Sequence, residues 1–143
     1  MTKAPILALE NISKSYRMKA EKIDVLKNVS LSIEAGESLG LMGPSGCGKS
    51  TLLNIVGLLD QADTGYLTLD QTHIQQGSSF KKIPDSLISR LRMEELGFVF
   101  QFHHLLSDFT ALENIMIPMT LSKKLPKKQR QERALYLLEE LGL

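Results

Sequence analysis

The sequence predicts an α/β fold with an antiparallel β layer at its N-terminus and helices towards its end. Three observations carry this. Residues 6–34 alternate apolar and polar side chains at the short intervals of strands. The uncharged run Leu39-Gly40-Leu41-Met42 leads into the glycine loop Gly43-Pro44-Ser45-Gly46-Cys47-Gly48, after which apolar residues take helical spacing. Beyond Pro84 most apolar residues again recur at helical intervals.

Taken in order, Ile6–Leu9 leads into Asn11–Tyr16 as a first strand, and a charged turn, Lys19 to Lys22, separates it from a second. In that second stretch Val29, Leu31 and Ile33 alternate with Ser30, Ser32 and Glu34, the period of a half-buried strand. Ala35-Gly36-Glu37 is a turn. Leu39–Met42 is short, apolar and uncharged, which fits a strand buried on both faces. Leu52, Leu53, Ile55, Val56 and Leu58 define a helix over Lys49–Leu58. Gly65–Asp70 reads as a strand with Leu67 and Leu69 on one face. Pro84 opens a helix with Leu87, Ile88 and Leu91 inward. Leu96–Phe100 is a second buried-strand candidate, and two helices follow, Leu112–Met119 and Lys127–Leu141. The last carries Ala134, Leu137, Leu138 and Leu141 on one stripe, and Gly142 stops it.

Composition sets the outer bounds. The 143 residues are 43% hydrophobic and 23% charged, as expected of an ordinary globular domain. Lys and Arg number 17 against 16 Asp and Glu, a net charge of +1, so nothing in the overall charge draws the chain to nucleic acid or anionic lipid. One cysteine forms no internal disulfide, and with three histidines it makes a poor structural zinc set. The longest nearly uncharged apolar run, Leu52–Leu59, has eight residues, far short of the ~20 that span a bilayer. The N-terminus lacks the pattern of a signal peptide, so a cytoplasmic location is expected. Six of the eleven residues from Lys123 to Arg133 are basic, which reads as a solvated helix face.

Gly43-x-x-x-x-Gly48-Lys49-Ser50, followed by Thr51, is the full phosphate-loop pattern, set between an apolar strand candidate and an apolar helix. Glycines at 43, 46 and 48 let the backbone turn so that successive N–H groups converge on phosphate oxygens. The helix starting near Lys49 adds its positive dipole end. Lys49 is placed to reach the β- and γ-phosphates and the Ser50 hydroxyl to ligate Mg²⁺. In the loop itself, Cys47 contributes mainly backbone. Tyr16, at the end of the first strand, is placed either to stack on a base or to pack in the core.

Tyr16, the loop Gly43–Thr51 with Leu52-Leu53, then Gly65, Phe100-Gln101 and Leu112-Glu113-Asn114-Ile115 together resemble the nucleotide-binding domain of ABC transporters, over Ile6 to Leu143. Within that family Phe100–Asn114 is similar to the ATP-binding subunit of the lipoprotein-releasing (Lol) system. The resemblance implies a P-loop NTPase of the ABC type. Residues 1–101 would be an incomplete phosphate-loop core with its β layer, and 102–143 the exit from the Gln101 loop and the start of a helical subdomain. It implies ATP and Mg²⁺ as cofactors, held by Tyr16, Gly43, Pro44, Ser45, Gly46, Cys47, Gly48, Lys49, Ser50 and Thr51. Tyr16 would stack on adenine. Gln101 would join Lys49 as a catalytic residue and Ser50 as a metal contact, touching Mg²⁺ and the attacking water. Phe102–Phe109 would lie near the groove that receives membrane subunits, and a second copy of the ATPase would be the other partner. Membrane association would then be peripheral, on the inner membrane, and only through partners.

The resemblance also implies elements these 143 residues lack. No buried strand ends in an Asp-Glu pair, no Leu-Ser-Gly-Gly-Gln signature occurs, and His73 precedes Gln101, the wrong place for a switch histidine. Tyr66–Asp70 ends in acid, but its two-residue alternation excludes it from the metal-binding role. In the family these elements follow the helix ending near Leu141, so the expectation is a chain cut before the second half of its active site and marginal in stability. It would bind ATP without turnover by itself. Alternatives are a truncated, inactive nucleotide-binding or decoy module, or an ATPase of an exporter or cell-division complex. A small nucleotide kinase would need lid arginines and an earlier loop. Alkylation of Cys47 is expected to block nucleotide binding, and bound ATP to protect the thiol; equal labelling with and without ATP would contradict this.

Overall fold

The computed structural model describes residues 4–18, 21–75, 84–102, 104–122 and 124–143. Lys19 and Ala20 of the expected charged turn, His103 and Lys123 lie outside the described residues. The chain divides into two compact units, Met1–Ser89 and Arg90–Leu143.

In the first unit, β1 (Leu7–Met18), β2 (Glu21–Ile33), β3 (Thr64–Leu69) and β4 (Thr72–Gln75) form an antiparallel sheet in the order β2-β1-β3-β4. Leu9 stands opposite Leu31 on one side and Leu67 on the other, and Leu7 opposite Ile33 and Leu69. Leu7, Leu9, Leu67 and Leu69 are buried, as the two-residue period requires. The next buried residue of β1 is Ile12, one position out of phase. A register shift between Leu9 and Ile12, with Asn11 at φ 52, inserts the extra residue that returns Ile12 to the core. Gly65 of β3 lies against this bulge. Its φ is +103, and a Cβ there would come within 2.6 Å of the Glu10 and Asn11 carbonyl oxygens.

Helix α1 (Lys49–Val56) buries Leu52 and Ile55. It ends in a Schellman turn, the Leu58 amide bonding to Ile55 O at 3.0 Å and the Leu59 amide to Asn54 O at 2.8 Å. Leu58 takes the left-handed position, φ 57, usually held by glycine, and its side chain is buried. Burial of an aliphatic chain, about 1.5–3 kcal/mol, offsets a left-handed cost of about 1–2 kcal/mol. Helix α2 (Asp85–Glu95) begins after Pro84, whose carbonyl accepts from Leu87 and Ile88, and buries Leu91.

In the second unit α3 (Ala111–Ser122) and α4 (Lys127–Glu140) pack together, with Ala134 fully buried. Thr110 and Glu113 form a reciprocal capping box at the start of α3. The Thr110 amide and hydroxyl each donate to Glu113 Oε2 at 2.8 Å, and the Glu113 amide to Thr110 Oγ1 at 3.3 Å. These hydrogen bonds from the Thr110 backbone and side chain hold the Glu113 carboxyl below its usual range. α4 closes with the Gly142 amide on Glu139 O and the Leu143 amide on Leu138 O, both 3.0 Å.

The structure corrects four expectations. Leu39–Met42 and Leu96–Phe100 are not strands, because neither has a ladder partner among the described residues. Their apolar side chains are correspondingly open, Met42 at 95% and Val99 at 102% exposure. Helix α1 stops at Val56 rather than Leu58, since the Schellman turn reverses the chain there. Leu141 lies beyond the last turn of α4 and is exposed at 74%, so the stripe ends at Leu138. Helix α3 also runs three residues past Met119, through Pro118 to Ser122. Gly65→Ala is expected to destabilise the first unit by roughly 2 kcal/mol or more. Gly36→Ala, whose Cβ would meet nothing within 4 Å, carries only the left-handed cost of about 1 kcal/mol. Denaturant midpoints of the two variants test the difference.

Candidate functional site

The phosphate loop lies in the first unit, at the head of α1. Gly48 is the helix N-cap, at φ 97 and ψ 3. A Cβ at this position would come 2.9 Å from Leu26 Cδ2 and 3.1 Å from Val25 O, so the start of α1 rests directly on β2 and only glycine fits. Gly43, at φ +153, has the Cys47 thiol 2.8 Å from a built Cβ. The Leu52 amide is the first to reach back, to Gly48 O at 2.9 Å. The amides of Lys49, Ser50 and Thr51 therefore precede the helix's own acceptors and present N–H groups at its positive end.

Lys49 folds over the loop. Its Nζ donates to the Gly43 and Pro44 carbonyls, each at 2.8 Å, and stands 3.6 Å from Cys47 Sγ. The ammonium is thus carried on the loop backbone, beside the N–H groups, where an anion would meet both. Cys47 is a free, exposed thiol. Pro44, Ser45, Gly46 and Ser50 complete the loop and are exposed. A tri- or diphosphate with its divalent cation fits this donor set: backbone N–H groups and one ammonium for the oxyanions, one hydroxyl at Ser50 for the metal.

Tyr16 is not part of the core; it is 38% exposed. Its hydroxyl donates to Asp60 Oδ2 at 2.7 Å, and Lys14 Nζ lies over its ring, 5.1 Å from the centroid. Lys14 Nζ also pairs with Asp60 Oδ1 at 2.9 Å and with Gln61 O at 2.6 Å. Next to this, Asp63 Oδ2 accepts from the Ser15 amide at 2.7 Å and the Ser15 hydroxyl at 2.6 Å. Sequence reasoning missed Lys14, Asp60 and Asp63. Lys14 and Tyr16, two apart on one strand, share a face, which is the signal that was available; the Schellman turn that brings Asp60 back to them was not.

The electrostatics follow from these bonds. The Asp60 acceptor raises the Tyr16 phenol above its usual value, and burial adds to this, while the nearby Thr51 hydroxyl acts the other way. Burial pushes Asp60 up, but hydrogen bonds from Tyr16, Lys14 and the Gln61 amide outweigh it and leave the carboxyl below the usual range. Asp63 is lowered in the same manner, burial opposing and the Ser15 hydrogen bonds prevailing.

Gln101 belongs to the second unit, where it is exposed and follows Phe98 and Phe100, whose rings stack with centroids 5.5 Å apart. His104 meets Phe100 edge-on at 4.8 Å. Phe102, Leu105, Leu106 and Phe109 are each about half exposed or more. Asn114 stitches this segment to α3. Its Oδ1 accepts from the Leu106 amide at 2.9 Å, and its Nδ2 contacts the Leu106, Phe109 and Thr110 carbonyls at 3.0–3.1 Å. Among the described residues no group of three or more His, Cys, Asp or Glu is placed to hold a metal, and no helix is long and apolar enough to cross a membrane.

Because the folded-state values of Asp60 and Asp63 are lowered, their stabilising effect is complete above the ordinary carboxylate value of 3.8 and is lost as pH falls through the lowered ones. Stability is therefore expected to be insensitive to these two groups from about pH 5 to 8 and to drop below about pH 4. A double Asp60→Asn, Asp63→Asn variant should flatten that acid limb in urea midpoints measured against pH; an unchanged limb would contradict the assignment.

Comparison with known proteins places this geometry. The ABC transporter family model matches residues 26–143. An uncharacterized ABC transporter ATP-binding protein, YvrO of Bacillus subtilis, is 47% identical over 96% of this chain and 57% of its own length. The lipoprotein-releasing system ATP-binding protein LolD 2 of Caulobacter vibrioides is 42% identical over 97% of this chain and 58% of its own. The dimeric ATP-binding cassette MJ0796, solved in a post-hydrolysis state with ADP and Pi, superposes with a TM-score of 0.82 at 37% identity, covering 96% of this chain and 57% of that one. The chain thus spans under three-fifths of the length of these relatives. With its phosphate loop, its antiparallel β layer and this similarity along nearly its whole length, the chain belongs to the ABC transporter family, as part of an ATP-binding domain of the P-loop ABC ATPase fold.

Proposed function

We propose that this chain is the nucleotide-binding portion of an ABC ATPase that binds ATP with Mg²⁺ at Gly43–Thr51 and Tyr16. The observation that carries the reading is the loop closed by a left-handed Gly48 at the head of α1, with the Lys49 ammonium beside it. The amides at the start of α1 and Lys49 would hold the phosphates, and Ser50 the cation. Bound there, Mg²⁺ would neutralise charge on the β- and γ-phosphate oxygens. Tyr16 would take the base. Gln101 would contact the cation and the attacking water.

Hydrolysis, in this reading, belongs to a dimer of complete ATPase subunits. The elements the family uses for it, the Asp-Glu pair and the signature, are not among these 143 residues, so the chain by itself would bind ATP without turnover. The finer reading is a subunit that powers release of lipoproteins from the inner membrane, peripheral to that membrane through membrane subunits docked near Phe102–Phe109. It is supported by the LolD relatives, 40–45% identical along nearly the whole chain, and by the exposed apolar side chains of 102–109.

Lys49→Ala is expected to weaken Mg-ATP binding by roughly tenfold or more, the scale of a lost charge-assisted contact, with an unchanged circular dichroism spectrum. An unaltered dissociation constant by titration calorimetry would overturn the phosphate site.

A further inference from the structure

Tyr16 is held at two points, its hydroxyl and its ring, by Asp60 and by Lys14. Its hydroxyl is bonded to Asp60 at 2.7 Å, its ring lies beneath the Lys14 ammonium at 5.1 Å, and Lys14 is itself fixed by Asp60 at 2.9 Å and Gln61 O at 2.6 Å. Asp60 is in turn oriented by the Gln61 amide on Oδ1 at 2.7 Å. Both oxygens of one carboxylate thus act on one ring, directly and through the lysine. A phenol on an exposed strand would otherwise sample several rotamers and lose that freedom on meeting a ligand. Here the ring is set beforehand. Lys14 lies over the ring, and Tyr16 keeps 38% of its surface exposed, with a π face of the kind that stacks on a flat base.

We propose that Asp60 is a positioning residue for the nucleotide base: through the Tyr16 hydroxyl and Lys14 it fixes the Tyr16 ring as a pre-set stacking platform. The inference rests on the reading that Tyr16 takes the base. It adds that the base-dependent part of affinity is set by a carboxylate at the far end of the α1 unit, which contacts neither base nor phosphate.

The test compares ATP with inorganic tripolyphosphate, which has no base, by titration calorimetry on the full 143-residue chain. Tyr16→Ala should weaken ATP roughly ten- to a hundredfold and leave tripolyphosphate unchanged. Asp60→Ala should weaken ATP by roughly two- to tenfold, the scale of an ordering cost for one side chain, again with tripolyphosphate unchanged. Tyr16→Phe removes only the hydroxyl and guards against a folding defect in the Asp60 variant. It should lose part of what Asp60→Ala loses, since Lys14 still holds the ring, and the double variant should fall no further than Asp60→Ala alone. Equal losses for both ligands, an unaffected Tyr16→Phe, or additive losses would overturn the proposal while leaving Tyr16 as the base contact. An unchanged ATP-to-tripolyphosphate ratio in Tyr16→Ala would instead remove the base reading itself, and the proposal with it.

Discussion

The first unit depends on one close approach, the backbone of Gly48 against Val25 and Leu26 of β2. With 2.9 Å to a leucine methyl and 3.1 Å to a carbonyl oxygen from any built Cβ, there is no room for a side chain. That contact fixes where α1 starts and how it lies on the sheet. In front of it, the loop presents its amides and the Lys49 ammonium. Behind it, eight helical residues carry the chain to Leu58, where a left-handed residue reverses it towards β1. Asp60 arrives at Lys14 and Tyr16 because both ends of α1 are fixed, one by a glycine with no room for a side chain and the other by a leucine with a side chain to bury.

The second unit relies on a different device. Its apolar segment is about half exposed or more at Phe102, Leu105, Leu106 and Phe109, so polar bonds do much to hold its shape. Asn114 supplies most of them to the Leu106–Thr110 backbone, and the Thr110–Glu113 box fixes the helix from which Asn114 projects. The Leu112-Glu113-Asn114 run that marks the family resemblance is therefore, in physical terms, a clamp on the preceding loop.

Much of this was legible in the residues. The alternation of Val29, Leu31 and Ile33, the paired Leu67 and Leu69, the helix after Gly48 and the stop at Gly142 all follow from period and capping chemistry, and all stand in the structure. The phosphate loop was legible because its glycines and lysine sit at fixed spacing. The cluster behind Tyr16 was not, because it joins residues more than forty positions apart through a turn that uses leucine where glycine is the usual signal. The apolar runs at 39–42 and 96–100 misled for the converse reason. Hydrophobicity marks a segment suited to a buried strand, whereas a strand exists only where a neighbour supplies the ladder.

Those two apolar runs differ in kind from the rim of the antiparallel sheet. β2 pairs on one side only among the described residues, yet its outer half carries Glu21, Lys22, Asp24 and Lys27 and is kinked at Asn28, φ 49. Charge and irregularity of that sort discourage another chain from adding a strand there. Leu39–Met42 and Phe98–Phe100 carry no such charges and are exposed. The sheet of the first unit therefore carries its own protection against edge-to-edge association at β2, written into the charges of one half-strand.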